Sequence, residues 1–300
     1  MQKSKQISIG VVLAIVGVIL FSAKAVMVKM AYKYHISSEH LLLFRMSFSV
    51  PVYFAIAMLT KPANPEAIKK SDYLWILFFG FVGYYLASYF DFLGLQYIKA
   101  GLERIILFVY PTLVLIISRI FLKKRITKKQ LIAICITYVG VVITFWQELQ
   151  LDTPNLISGV SLIFLSALTY AIYLVGSGWL IPKFGVVVFT SYAMIVSSLC
   201  IIIQYILLDR GDLTNYAPEV YVLGILMAFF ATIVPSYLIS SAIARLGASN
   251  VAIIGSLGPV STILLAFFIL DENLSTLQII GAGIVIFGIY ITTKKSKKSQ

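Results

Sequence analysis

Residues 88–111 read SYFDFLGLQYIKAGLERIILFVYP, and residues 236–259 read SYLISSAIARLGASNVAIIGSLGP. Both stretches open on Ser-Tyr and close on proline, at an offset of 148 residues. The offset holds without a gap from 88–144 to 236–292. Ala100 meets Ala248, Ile105-Ile106 meets Ile253-Ile254, and Leu122 meets Leu270. Gln130 then meets Gln278, and Gly140 meets Gly288. Isoleucine matches are cheap in an apolar chain, so the prolines, glutamines, glycines and the Ser-Tyr pair carry the weight. Upstream the correspondence is fainter, although Ser22-Ala23 resembles Ser166-Ala167.

The repeat lies in a chain that is not built for water. Apolar residues make up 60% and charged residues 12%, against roughly 45–50% and 25% in soluble domains. Mean hydropathy is +0.96. This composition excludes a water-soluble enzyme, a disordered tail and a secreted disulfide scaffold. About 20 apolar residues cross the hydrocarbon core as a helix, because a helix satisfies its own backbone groups. Ten such stretches are present: Ile7–Tyr32, Leu41–Thr60, Tyr73–Tyr97, Leu102–Leu122, Gln130–Trp146, Ile157–Ile181, Val186–Leu208, Val220–Ile243, Asn250–Leu270 and Leu277–Thr292. Lys3 and Lys5 resemble the basic start of a signal peptide, but the apolar run continues to Tyr32 with no small-residue cleavage site, so a retained first span is expected.

The net charge of +12 raises nucleic-acid binding as a reading, and the distribution of charge answers it. Ten spans put both termini on one side, and 16 of the 24 basic residues fall there, against three on the other. That asymmetry predicts cytoplasmic termini in a cytoplasmic-membrane protein. Trp75, Trp146 and Trp179 stand at span ends, where aromatic belts form. Cys135 and Cys200 lie inside apolar runs and are expected to be packing residues.

Five helices per repeat is an odd number, so the second half, 157–292, enters the membrane opposite to the first, 7–146, with a basic tail at 293–300. Inverted repeats of this kind recur in secondary transporters, where the two halves share a site near the midplane. Pro111 and Pro259 remove a backbone donor at equivalent points of spans four and nine, which makes them candidate hinges.

Four segments carry a family resemblance: FSAKAVMVK at 21–29, Arg45 in span two, AGLERIILFVYP at 100–111 and LDENLSTLQIIGA at 270–282. With them the chain resembles the drug/metabolite transporter superfamily, specifically its EamA-type ten-helix members, over 8–293. The resemblance implies an all-helical polytopic membrane protein of two inverted five-helix EamA-like repeats. It implies transport of small molecules, a range that runs over amino acids, sugars, nucleotide-related metabolites and drugs. The family often has an acidic residue where Glu272 stands; the first half has Lys124 there.

An ionisable group near the bilayer centre costs at least ~2.5–3.5 kcal/mol, so such groups are functional candidates. Seven lie in the expected spans: Lys24, Lys29, Arg45, Asp91, Glu103, Arg104 and Arg119. At ~1.5 Å per residue, Lys24 lies ~12 Å, Asp91 ~9 Å and Arg45 ~6 Å from the outer span ends. Lys29, Arg104 and Arg119 are expected to snorkel. Lys24, Arg45, Asp91 and Glu103 are expected to line an outward-facing vestibule. The basic excess in this outer cluster favours an anionic or zwitterionic substrate. Ser88, Tyr89, Tyr110, Ser236 and Tyr237 supply hydroxyls for a polar cavity. Asp91 or Glu103 is a candidate for proton coupling.

Neither HExxH, paired cysteines nor a P-loop occurs, so no metal, organic cofactor or ATP-driven step is expected. His35 and His40 are expected to be solvated loop residues. A membrane-embedded enzyme is the rival class, and it needs a second carboxylate at the depth of Asp91. An exporter of drugs or toxic compounds is the alternative within the family. A purely structural or sensor role is a third option, and it leaves the deep charges and the inverted repeat without a purpose.

Overall fold

The computed structural model describes residues 2–94, 97–98, 100–146, 155–209, 211–270 and 274–293. Regular structure among the described residues is entirely helical. The helices are α1 (Gln2–Tyr32), α2 (Ser38–Leu59), α3 (Lys70–Gly80), α4 (Ala87–Gly94), α5 (Ala100–Leu107), α6 (Tyr110–Phe121), α7 (Lys128–Thr144), α8 (Leu156–Phe184), α9 (Val186–Gln204), α10 (Pro218–Ala228), α11 (Val234–Leu246), α12 (Ala248–Ile254), α13 (Leu257–Leu270) and α14 (Thr276–Thr293). Most of the basic tail, 294–300, lies outside the described residues, as do Glu272 and the side chains of Lys29 and Arg104.

Seven helical stretches are long and apolar enough to cross a bilayer, among them Gln6–Tyr32, Lys70–Gly94, Pro218–Leu246 and Ala248–Ile269. The expected fourth and tenth spans are shorter apolar helices, Ile105–Phe121 and Thr276–Ile291, and the fifth is the 17-residue α7. The chain is a multi-pass membrane protein.

The offset of 148 recurs in backbone geometry. A π-helical turn at Phe81–Leu86 joins α3 to α4, and another at Phe229–Ile233 joins α10 to α11. The break between α5 and α6 at 108–109 is matched by the break between α12 and α13 at 255–256. Each break ends two or three residues before its proline, whose missing N–H loosens that turn. Helix starts repeat too. Thr127 accepts from Gln130 N at 3.3 Å while Gln130 Oε1 accepts from Thr127 N at 3.0 Å. Ser275 and Gln278 make the same reciprocal cap, at 3.2 and 3.0 Å.

Packing follows the same two-fold relation. Helix α1 packs on α11 and α13, and its counterpart α8 packs on α4 and α6. The self-equivalent pairs α2–α9 and α7–α14 lie on the pseudo-axis. Between α7 and α14, Gly140 faces Gly281 and Val285, while Gly288 faces Ala133 and Thr137, the residues that correspond to Gly281 and Val285. Small residues let the two backbones approach, as membrane helix pairs require. A Cβ at Gly281 would stand 2.2 Å from Thr144 Oγ1 and 2.6 Å from the Gly140 carbonyl, whereas one at Gly283 would meet nothing within 4 Å. Gly281→Val is therefore expected to lower the melting temperature in detergent by several degrees and Gly283→Ala to leave it unchanged, read by a thermal-shift assay.

Two expectations need correction. His40 is not a solvated loop residue: it sits in the first turn of α2, is buried, and its Nδ1 lies 2.6 Å from Tyr216 Oη. An aromatic pocket of Tyr205 and Tyr216 draws it inward, while His35 stays exposed in the left-handed region at φ 57°. Cys135 is exposed on the helix surface rather than packed, because α14 covers the opposite side of α7.

Candidate functional site

The helix breaks and π-turns converge on one central cavity of about 220 Å³. Equivalent positions of the two halves line it together: Gly83 with Ala231, Tyr84 with Thr232, and Leu107 with Gly255. The cavity therefore straddles the pseudo-two-fold axis, where discontinuous helices place transporter sites.

Among the described residues, its charge comes from the first half alone. Lys24 on α1, Arg45 on α2 and Asp91 on α4 all line it. Arg45 is 5% exposed. Among the described residues, Arg45 Nε and Asp91 Oδ1 are buried with no hydrogen-bond partner. The two groups are close enough for their charges to interact. A buried charge without a full set of partners is costly to maintain. That cost marks both groups as ones a ligand would satisfy.

The second half supplies hydroxyls, rings and backbone. Ser166, Tyr170 and Thr232 line the cavity. Ser22, on α1, donates to the Val18 carbonyl at 2.8 Å and to the Gly258 carbonyl at 3.1 Å, which ties α1 to the second break. Tyr110 stands at the first break and donates to the Ala252 carbonyl at 3.2 Å, next to the second. Tyr84, Tyr110, Tyr170 and Tyr173 form a chain of ring contacts, with Tyr110–Tyr170 at 5.4 Å, Tyr170–Tyr173 at 6.4 Å and Tyr84–Tyr173 at 4.8 Å.

Of the residues singled out by the sequence, Lys24, Arg45, Ser88, Asp91, Tyr110 and Pro259 border this cavity. The others lie elsewhere. Glu103 is buried on α5 outside the central lining. Pro111 is buried one residue past Tyr110. Tyr89 lines a separate cavity of about 410 Å³ between the N-terminal end of α2 and the C-terminal ends of α4 and α9. Ser236 lies 2.8 Å from Tyr53 Oη, and Tyr237 Oη lies 2.7 Å from Ser191 Oγ. Gly83, Thr232 and Gly255 were missed. The 148-residue offset pairs Gly83 with Ala231, but only the doubled π-turns show why that pair meets the cavity. Asp91 and Glu103 do not share the central cavity, so the two-carboxylate constellation of the rival enzyme does not form there.

At the end of the bundle where α8 meets α9, Lys183 Nζ donates to both Asp72 oxygens at 2.9 Å and stands 4.8 Å over the Trp179 ring. The backbone N–H groups of Ala63 and Asn64 donate to the Phe184 and Lys183 carbonyls at 3.1 and 2.9 Å. Arg245 Nε donates to Gln6 at 3.2 Å, and Gln130 Nε2 donates to Asn250 at 3.0 Å. Apart from the Lys183–Trp179 contact, which lies within the second half, each of these contacts joins one half to the other.

A two-fold bundle of broken helices around a charged cavity is the architecture of a secondary transporter. The chain belongs to the EamA-like transporter family, whose model matches residues 8–146 and 157–294. It is 28% identical to the uncharacterized transporter YcbK of Bacillus subtilis (strain 168), over 99% of this chain and 97% of that one. An uncharacterized transporter of Archaeoglobus fulgidus is 29% identical, over 77% of this chain and 81% of its own. A crystal structure with 13% sequence identity superposes at a TM-score of 0.79, covering 95% of this chain and 98% of that one, and shares the fold. The relatives' names and the family are those of transporters, not enzymes.

Proposed function

We propose that this protein is a secondary carrier that moves a small anionic or zwitterionic metabolite across the cytoplasmic membrane by alternating access, with both termini cytoplasmic. The observation that carries this reading is the orphaned Arg45 Nε facing the same cavity as the orphaned Asp91 Oδ1. An acidic group of the substrate satisfies the guanidinium; in a zwitterion, an ammonium group satisfies the carboxylate. Three first-half charges, two of them basic, set the preference for negative charge. Asp91 is the proposed group for proton coupling, because it is the acidic side chain on that wall. The 16-to-3 distribution of basic residues supports the orientation.

Counterflow of labelled amino acids, sugars and carboxylates in proteoliposomes tests the reading. Exchange that depends on an anionic or zwitterionic compound is expected. Exchange of organic cations alone, or product formation without exchange, defeats it. Lys24→Met is expected to abolish counterflow at normal membrane expression, and full activity in that variant removes Lys24 from the site.

A further inference from the structure

Two hydroxyl pairs join α9 to α11 toward the inner face. Thr190 Oγ1 donates to Ser240 Oγ at 2.7 Å, and Ser191 Oγ lies 2.7 Å from Tyr237 Oη. The offset of 148 maps Thr190 and Ser191 onto Leu42 and Leu43 of α2, and Ser240 and Tyr237 onto Phe92 and Tyr89 of α4. Matches of Met46 with Met194 and Ser49 with Ser197 support that register between α2 and α9. All four counterparts line the outer cavity of about 410 Å³. The same four positions thus touch on the inner side and face a cavity on the outer side. Helix α11 packs on α9, and α4 makes no comparable packing on α2.

A molecule with this symmetry passes to its opposite state by exchanging the conformations of its halves. We infer that the α9–α11 contact is an inner gate held shut by hydroxyl pairs, and that the α2–α4 cavity is the matching outer gate. The outer gate closes when Leu42 meets Phe92 and Leu43 meets Tyr89, as the inner pairs part. The inference rests on the carrier reading above. The two gates differ in chemistry: the inner one seals through hydrogen bonds, the outer one through apolar contact. Replacing one inner hydroxyl orphans its partner only in the inner-closed state, since opening lets water reach it.

The test uses the full chain in nanodiscs with Cys135→Ser and Cys200→Ala as background. Thr190→Cys with Ser240→Cys is expected to form a disulfide under copper phenanthroline, because the bonded oxygens already lie 2.7 Å apart. Leu42→Cys with Phe92→Cys is expected to cross-link slowly, and about tenfold more once Ser191→Ala is added. As a second reading, Leu42→Cys alone is expected to react with an impermeant maleimide, and more slowly in the presence of Thr190→Val. An outer pair whose cross-linking ignores Ser191→Ala, or a Leu42→Cys whose labelling ignores Thr190→Val, overturns the gate assignment. Counterflow by the background protein separates the two levels: with counterflow intact, such a result removes the gates and leaves the carrier. Absent counterflow, with cross-linking as expected, removes the carrier reading and keeps the two-state element.

Discussion

Replacing Arg45 with glutamine is expected to lower counterflow about 30-fold or more while the protein still reaches the membrane at normal yield. Arg45 is 5% exposed, lines the central cavity, and has a buried Nε without a hydrogen-bond partner. Truncating one member of a buried, hydrogen-bonded charge pair costs about 2–5 kcal/mol, and each ~1.4 kcal/mol is a factor of ten. If the pair is Arg45 with the substrate, that loss falls on binding and transport and not on folding. Arg45→Lys is expected to recover only part of the activity, since a point charge replaces a planar fork. The rival account is that Arg45 exists to neutralise Asp91. It makes a different forecast for Arg45→Gln combined with Asp91→Asn: removing both charges should then restore activity. A substrate-binding Arg45 leaves the double variant as inactive as the single one, measured by counterflow beside size-exclusion profiles.

The second large effect is structural. Gly83→Ala is expected to cost about 1–3 kcal/mol or more through overpacking, and so to lower folded yield and the melting temperature by several degrees. A Cβ at Gly83 would stand 2.2 Å from Tyr173 Cβ and 2.3 Å from its Cγ. Those atoms are the root of the side chain and cannot swing aside. Tyr173 is fully buried between the Tyr84 ring at 4.8 Å and the Phe189 ring at 6.0 Å. Gly255→Ala is the informative contrast. Its Cβ would meet the Tyr110 hydroxyl, the far end of a long side chain. Tyr110 can move there, giving up its 3.2 Å bond to the Ala252 carbonyl. A smaller stability loss with a clear fall in counterflow is therefore expected at Gly255. Equal thermal losses at the two glycines contradict this account of the site.

The spans and the inverted repeat were legible because both are written in linear spacing. Hydrocarbon demands that each backbone stretch satisfy itself, so a span announces itself by length and hydropathy. A repeat preserves its helix breakers and caps, so Pro111 and Pro259, or Gln130 and Gln278, stand at one offset. Ionisable residues at depth were visible for the same reason. What could not be read was which of them meet. Lys24, Arg45 and Asp91 come from three helices that converge on one cavity, whereas Glu103 is buried outside it, although position along the spans had assigned all four to one vestibule. Depth is a one-dimensional property, and the rotation of each helix about its own axis is not.

The repeated Ser-Tyr pair shows the division most clearly. By itself the sequence determined that Ser88-Tyr89 and Ser236-Tyr237 are equivalent, and it placed them in the third helix of each half. Only the tertiary structure decided that Ser88 borders the central cavity and Tyr89 the one between α2, α4 and α9, while Ser236 and Tyr237 bond to Tyr53 and Ser191. The physical reason is that equivalence in sequence is a property of the chain, whereas contact is a property of the conformation. In this conformation the two halves pack differently at matching positions, closed between α9 and α11 and open between α2 and α4.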